Sequence, residues 1–184
     1  MIAGIGHDLV NVAQFAQQMQ DGNGWRALFS VRELRQCDLR AQAKNDEKAL
    51  HIAARWAGKE AVIKAWSEAL SIANSPYLYT LDNMPWASIE ILNDSHGCPR
   101  VVLSADVHSQ LVKSLLSAHN ECVDGSKHVA SSEHVDSSEH VDSSKCADGS
   151  EHVANIRWHI SLSHDGLLDD TSAFASAVVM LEVL

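Results

Sequence analysis

Short polar motifs supply two carboxylates and several cationic side chains whose types and spacing suit metal and phosphate chemistry. Asp8 follows a glycine-rich opening. Glu60 precedes Lys64 by four residues, which places these two side chains on one face of a helix. Mg²⁺ prefers oxygen ligands and commonly binds one or two carboxylates together with substrate phosphates. Lys59, Lys64 and the imidazole of His164 would supply positive charge and hydrogen-bond donors to those phosphates. Together these residues predict phosphoryl-group chemistry, with Asp8 and Glu60 as the Mg²⁺ ligands.

The motif from Arg55 to Lys64 also has a plain structural interpretation. Glu60 and Lys64 are four residues apart, as are Arg55 and Lys59, so the members of each pair are neighbours on a helix surface. A solvated face with an exposed ion pair would show the same spacing. However, Gly58 costs a helix about 1 kcal/mol relative to alanine, which indicates close packing or a bulky ligand beside these charges.

The other polar motifs are weak when each is taken alone. An aspartate that follows a strand, as Asp8 does, is commonly a turn or capping residue. Residues 161–165 continue an alternating strand that delivers Ser163 and His164 to its exit, and a histidine there can serve as a structural hydrogen-bonding group. The Gly97–Pro99 segment by itself indicates only a hairpin turn. It is the combination of these motifs in one chain that favours a site.

The periodicity of apolar residues predicts both helices and strands around these motifs. Residues 46–70 give the strongest helical pattern, with apolar side chains that recur at i+3 and i+4. Ser30 followed by Glu33 is the pattern of a capping box at a helix start. The other predicted helices cover 11–20, 25–39 and 106–117, and the predicted strands cover 2–10, 88–92, 100–103, 156–162 and 173–183. Because strands and helices do not alternate regularly, we expect an α+β fold.

Composition excludes several functional classes. The chain has 184 residues, 46% of them hydrophobic, which is enough for one globular core. Its formal net charge of −10 argues against a general binder of nucleic acid or of anionic membranes. No apolar run approaches the roughly 20 residues of a membrane span, and the N-terminus lacks the basic start of a signal peptide. Four scattered cysteines without a C-x-x-C pair are typical of a reduced, cytoplasmic chain.

A hexapeptide repeat occupies residues 121–154. It contains eight acidic residues and two lysines, a net −6, which leaves −4 of the total −10 for the rest of the chain. One valine per unit buries too little apolar surface to offset the entropy of ordering, which favours a disordered insertion over a parallel β-helix. Its histidines and cysteines could bind a metal, but a flexible chain preorganises no site. We expect one domain, residues 1–118 and 156–184, interrupted by an insertion at 119–155.

In their order along the chain, the motifs resemble those of 4′-phosphopantetheinyl transferases of the holo-acyl-carrier-protein synthase type. The specific parts are the Gly-x-Gly-x-Asp opening that ends at Asp8, the Lys-Glu-Ala helix around Glu60 and the Ser-x-Ser-His strand that ends at His164. The match is collinear over nearly the whole chain outside residues 119–155. The resemblance implies this family's α+β fold, with a small antiparallel-rich sheet packed with a long helix, and a homotrimer whose site lies at the subunit interface.

The resemblance also implies an activity and its substrates. These enzymes transfer 4′-phosphopantetheine from coenzyme A to a serine of apo acyl-carrier protein, with Mg²⁺ as cofactor, and release adenosine 3′,5′-bisphosphate. By position, Asp8 and Glu60 resemble the Mg²⁺ ligands, and Glu60 would accept the serine proton directly or through water. Lys64 would stabilise charge on the pyrophosphate, and His164 would bind a phosphate oxygen. The remaining contacts to coenzyme A would come from Arg55, Lys59, Gly97, Pro99 and Ser163.

Two other functions remain open on the residues themselves. A Mg²⁺-dependent nucleotide pyrophosphatase would use the same carboxylates and lysines but would modify no protein. A non-enzymatic metal-binding protein would depend on the histidine-rich repeat at 121–154. Apo carrier protein and coenzyme A, followed by measurement of intact mass, would separate all three. None of these functions calls for a nucleic-acid or membrane partner.

Overall fold

The computed structural model of the chain describes residues 1–80, 82–124, 155–166 and 172–184. The α-helices of this part are α1 (Val12–Gln20), α2 (Val31–Lys44), α3 (Lys48–Ile72) and α4 (Ala105–Asp124), with short 3₁₀ helices at Gly24–Leu28 and Trp86–Ser88. Its strands are β1 (Ile2–Asn11), β2 (Ile89–Asn93), β3 (Pro99–Leu103), β4 (Ile156–Asp165) and β5 (Phe174–Val183). An antiparallel sheet has the order β1-β5-β4, and β2 and β3 form an antiparallel hairpin. The expected α+β class is confirmed.

The long helix α3 lies directly against β1 because two glycines leave no side chain between them. A Cβ atom at Gly4 would lie 2.1 Å from the carbonyl oxygen of Ala65, and one at Gly6 would lie 1.9 Å from the carbonyl oxygen of Ala61. Contacts under 3.0 Å essentially never occur at real Cβ atoms, so any larger residue would push the strand away. This backbone contact fixes β1, and with it Asp8, relative to α3.

The three-stranded sheet has one buried face and one open face. Toward α3, alternate residues of β5 are at most 1% exposed: Ala175, Ala177, Val179 and Leu181. On the other face, apolar side chains of β1 and β5 are 36–57% exposed: Ile5, Leu9, Phe174, Val178 and Met180. Because side chains alternate in direction along a strand, each site residue of this sheet lies on either the buried face or the open face.

The start of α2 follows the predicted capping box. The Ser30 hydroxyl accepts from the backbone N–H of Glu33 at 3.1 Å, and the Ser30 N–H donates to the Glu33 carboxylate at 2.9 Å. This cap separates two elements, so the helix predicted over 25–39 is instead a 3₁₀ turn followed by α2. Helix α3 starts at Lys48, close to the predicted boundary at residue 46.

Helix α4 is longer than the helix predicted over 106–117. Helix α4 continues to Asp124, past residue 118, because adding a residue to a formed helix gains a hydrogen bond at little further cost. The rest of the insertion, up to residue 154, lies outside the described residues, as does most of the repeat. Within the described part of the chain, no helix is long and apolar enough to cross a membrane. Cys37 and Cys98 carry free thiols.

Candidate active site

Asp8 and Glu60 lie on facing elements, β1 and α3, at the centre of the candidate site. The Asp8 carboxylate accepts a hydrogen bond from Lys64 Nζ at 2.7 Å, and the same ammonium donates to the backbone oxygen of His7 at 3.1 Å. Burial and the negative charge of Asp8 raise the pKa of Glu60, while Lys64 lowers it. The structure thus brings both carboxylates and Lys64 within electrostatic reach of one another.

A cavity of about 240 Å³ opens beside these groups. Its lining includes Asp8, Glu60, Trp56 and two amide side chains of α1, Gln14 and Gln18. The side chain of Asp8 is 11% exposed, so it is shielded from bulk water but still borders the cavity. Charges in such a partly buried environment interact more strongly than they would in water.

The donor set at this cavity fits a hard divalent cation. Two carboxylates from different elements line it, and burial together with the negative charge of Asp8 raises the pKa of Glu60. Among the described residues, no cluster of three or more His, Cys, Asp or Glu side chains could hold a metal ion. A zinc site of the usual closed type therefore does not fit here, whereas Mg²⁺ requires only one or two carboxylates, with phosphates and water as its other ligands.

His164 lies at the end of β4 on the face that α3 covers. In the sheet it pairs with Ala175, which pairs with Val10 on the other side, so His164 is two strands, about 10 Å, from β1. Its ring packs edge-to-face on His51, with the ring centroids 5.1 Å apart. Burial and then the neighbouring His51 and Lys44 lower the pKa of His164. At neutral pH its imidazole is therefore uncharged, with one donor and one acceptor nitrogen.

His51 lies beside His164 in the candidate site and was not predicted from the sequence. Its side chain is only 1% exposed, and Nε2 lies 2.7 Å from Asp46 Oδ1. Burial lowers the pKa of His51, and its hydrogen bond to the Asp46 carboxylate opposes that shift. The available signal was spacing, because His51, Arg55 and Lys59 follow one another at intervals of four residues and form one row on α3.

Arg55 supports the Gly97–Pro99 turn from beneath. Its guanidinium donates to the side-chain oxygen of Asn93, whose amide donates to the carbonyl of Gly97 at 2.6 Å. Gly97 has φ +84°, a conformation that glycine adopts at no steric cost. Burial lowers the pKa of Arg55, and its Nε has no hydrogen-bond partner among the described residues. This turn therefore rests on a buried cation with an unused donor.

Two residues predicted to contact coenzyme A, Lys59 and Ser163, lie apart from the other predicted contacts. Lys59 is fully buried, and its ammonium forms an ion pair with Glu33 at 2.9 Å, so it presents no group to a ligand at the surface. The interpretation of this part of α3 as a solvated face is wrong for Lys59, because the face packs against α2 and β2. Ser163 lies on the open face of the sheet, opposite Ser176, and not on the face of His164.

Comparison with known sequences gives the family. A sequence model described as the 4′-phosphopantetheinyl transferase superfamily, ACPS, matches residues 4–131. A holo-[acyl-carrier-protein] synthase of Bifidobacterium animalis subsp. lactis is 41% identical over 184 residues, which cover 98% of this chain and 97% of the relative. One of Bifidobacterium adolescentis is 52% identical over 118 residues, which cover 61% of this chain and 78% of the relative.

Solved structures agree with the sequence comparison. A complex of ACPS with coenzyme A from Chronobacterium ammoniagenes superposes with a TM-score of 0.64 at 26% identity, covering 98% of this chain and 97% of that one. A holo-[acyl-carrier-protein] synthase of Helicobacter pylori in complex with coenzyme A gives a TM-score of 0.55 at 18% identity, over 97% of this chain and 99% of that one, and shows the shared fold alone. From the family match and the identities to its relatives, the chain belongs to the 4′-phosphopantetheinyl transferase superfamily.

Proposed function

We propose that the protein transfers 4′-phosphopantetheine from coenzyme A to a serine of apo acyl-carrier protein and releases adenosine 3′,5′-bisphosphate. The serine oxygen forms a bond to the phosphorus that carries pantetheine, and the bond from that phosphorus to the oxygen of the adenosine-side phosphate breaks. The observation that carries the proposal is the Asp8–Glu60 pair with Lys64 beside the cavity. The names of the relatives, holo-[acyl-carrier-protein] synthases, and the coenzyme A complex of the similar structure support it.

Asp8 and Glu60 are the residues that would hold Mg²⁺. When bound there, the ion would neutralise charge on the pyrophosphate and align it. Glu60 also has the property required of a proton acceptor, since its raised pKa makes it a stronger base than an ordinary glutamate. Lys64, next to Asp8, is placed to stabilise the negative charge that grows on the leaving phosphate.

The nucleotide end of coenzyme A is proposed to lie at the Gly97–Pro99 turn. The buried Arg55 beneath this turn contributes positive charge, which favours a phosphate-bearing ligand. His164 adds an imidazole on the face of the sheet that α3 covers, and burial is the main cause that lowers its pKa. Lys59 is left out of this subsite because its ammonium is fully buried.

The assembly is proposed to be a homotrimer, with the open face of the sheet as the surface that meets neighbouring copies. Apolar residues such as Leu9, Val178 and Met180 are exposed there, and exposed apolar surface of this kind commonly marks interfaces. Ser163 lies on this face, so it would approach coenzyme A only in the site of a neighbouring copy.

Transfer is tested with purified protein, coenzyme A, Mg²⁺ and an apo acyl-carrier protein, followed by intact mass of the carrier. The expected result is the addition of one phosphopantetheinyl group, lost when the carrier serine is changed to alanine. Hydrolysis of coenzyme A without any gain of mass on the carrier would instead indicate a nucleotide pyrophosphatase and would contradict the proposal. The proposed location is the cytoplasm, where free thiols such as Cys37 and Cys98 stay reduced.

A further inference from the structure

A fully buried ion pair joins α2 to the middle of α3. Lys59 and Glu33 are both 0% exposed, and their charged atoms are 2.9 Å apart. Phe29 covers the ammonium, which lies 5.3 Å from the centre of its ring. Removing two charges from water is costly, and many folds would place apolar side chains here instead. A buried pair of this kind therefore calls for an explanation from the groups it contacts.

Each partner also forms hydrogen bonds with backbone groups of β2 or of the residues just before it. Lys59 Nζ donates to the carbonyl oxygen of Trp86 at 2.8 Å and to that of Ile89. Glu33 accepts from the N–H of Ile91 at 2.9 Å, while its other oxygen completes the cap of α2. The pair thus fixes where β2 starts and runs relative to α3.

The proposed binding site for coenzyme A has one end at Glu60, on α3, and the other at the turn that follows β2. The ion pair connects these two elements. Glu60, the residue after Lys59, borders the cavity with Asp8. Strand β2 leads to Asn93 and then to the turn that contains Gly97. A shift of β2 against α3 would therefore change the spacing between the nucleotide end and the carboxylates.

We propose that Glu33 and Lys59 are positioning residues that set the distance between the Gly97–Pro99 turn and the Asp8–Glu60 carboxylates. This inference rests on the proposed function, because coenzyme A is the ligand that would span both ends. A ligand that contacts both ends depends on their spacing, whereas one that contacts only the turn does not. The ion pair would thereby favour binding of intact coenzyme A without contacting it.

The test uses a variant in which both charges are removed together, Glu33→Gln with Lys59→Met. Neutralising both partners avoids the uncompensated buried charge that either single change would leave. The control is Ser114→Ala, which removes a different buried hydrogen bond of α3, that from Trp66 Nε1 at 3.1 Å. Isothermal titration measures binding of coenzyme A and, separately, of adenosine 3′,5′-bisphosphate, which reaches only the nucleotide end. Thermal melts and circular dichroism define the temperature at which both variants are folded.

The double variant is expected to bind coenzyme A at least about tenfold more weakly while its affinity for adenosine 3′,5′-bisphosphate changes less than about threefold. The Ser114→Ala control should keep both affinities even if its melting temperature falls. Equal affinities in the double variant and the wild type would overturn the inference, and so would equal weakening of both ligands. If the double variant does not fold, Lys59→Arg, which keeps the charge but changes its reach, must show the same selective loss. Wild type that binds coenzyme A but modifies no carrier would instead refute the proposed function.

Discussion

Replacing Gly6 with alanine tests how strictly the contact between β1 and α3 places Asp8. An added Cβ would lie 1.9 Å from the carbonyl oxygen of Ala61, and real contacts are at least 3.0 Å, so the strand must move by about 1.1 Å (3.0 minus 1.9). Asp8 is two residues further along the same strand and would move with it. A misplacement of about 1 Å can cost about a hundredfold in rate, which corresponds to about 2.7 kcal/mol of barrier.

The assay compares kcat for carrier modification in Gly6→Ala, Gly22→Ala and the wild type, at a temperature where circular dichroism shows all three folded. Gly22 is the matched control, because no atom lies within 4 Å of an added Cβ there. Binding of adenosine 3′,5′-bisphosphate should be unchanged in both variants, since the turn proposed to hold it is not attached to β1. A folded Gly6→Ala protein with a rate within about threefold of wild type would refute the account of how Asp8 is placed.

Four further predictions concern the carboxylates, the lysine and the open face. Asp8→Ala should reduce turnover at least about a hundredfold. Adding Glu60→Ala should reduce turnover only slightly further, because groups that serve one ion act as a unit. Kinetics measured over a range of Mg²⁺ concentrations test both expectations. Folding raises the pKa of Glu60, so the ionised side chain destabilises the folded protein at neutral pH. Glu60→Gln should therefore raise the melting temperature at pH 7 while reducing turnover. The gain in melting temperature should vanish below about pH 4. Lys64 lowers the pKa of Glu60, so Lys64→Met should move the acid limb of the pH–rate profile to higher pH. Val178→Glu on the open face should dissociate the proposed trimer in light scattering, whereas Val31→Glu, at a residue 83% exposed on α2, should leave it intact.

Sequence reasoning predicted the candidate carboxylates more readily than the residues that support them. Asp8 and Glu60 stand in motifs whose residue types alone suggest a metal and phosphates, and the structure places them on facing elements. The capping box of α2 was also predictable, because it is a local pattern within four residues. Glu33, in contrast, has a second role that no local pattern reveals, since its ion-pair partner Lys59 lies on another helix.

The burial of Lys59 contradicts the solvated-face interpretation for a specific physical reason. Spacing of four residues establishes that Arg55 and Lys59 share a helix face, but it carries no information about whether that face meets solvent or protein. Helix α3 is buried over most of its circumference, and alanines surround the charged residues, so the apolar pattern offers no contrast between faces. Charge alone then suggests exposure, which is the usual outcome for lysine and the wrong one here.

The arrangement of α3 explains why buried charges are concentrated in this helix. One row, His51, Arg55 and Lys59, faces α2, β2 and the end of β4, and each member contacts a group that supports the turn or the imidazole of His164. The adjacent row, Glu60 and Lys64, faces β1 and the cavity. Because both rows belong to one rigid helix, a force that displaces the turn is transmitted to the carboxylates. Apolar side chains could fill the same volume, but they would give β2 no directional bonds, and the spacing between the two ends of the site would then be free to vary.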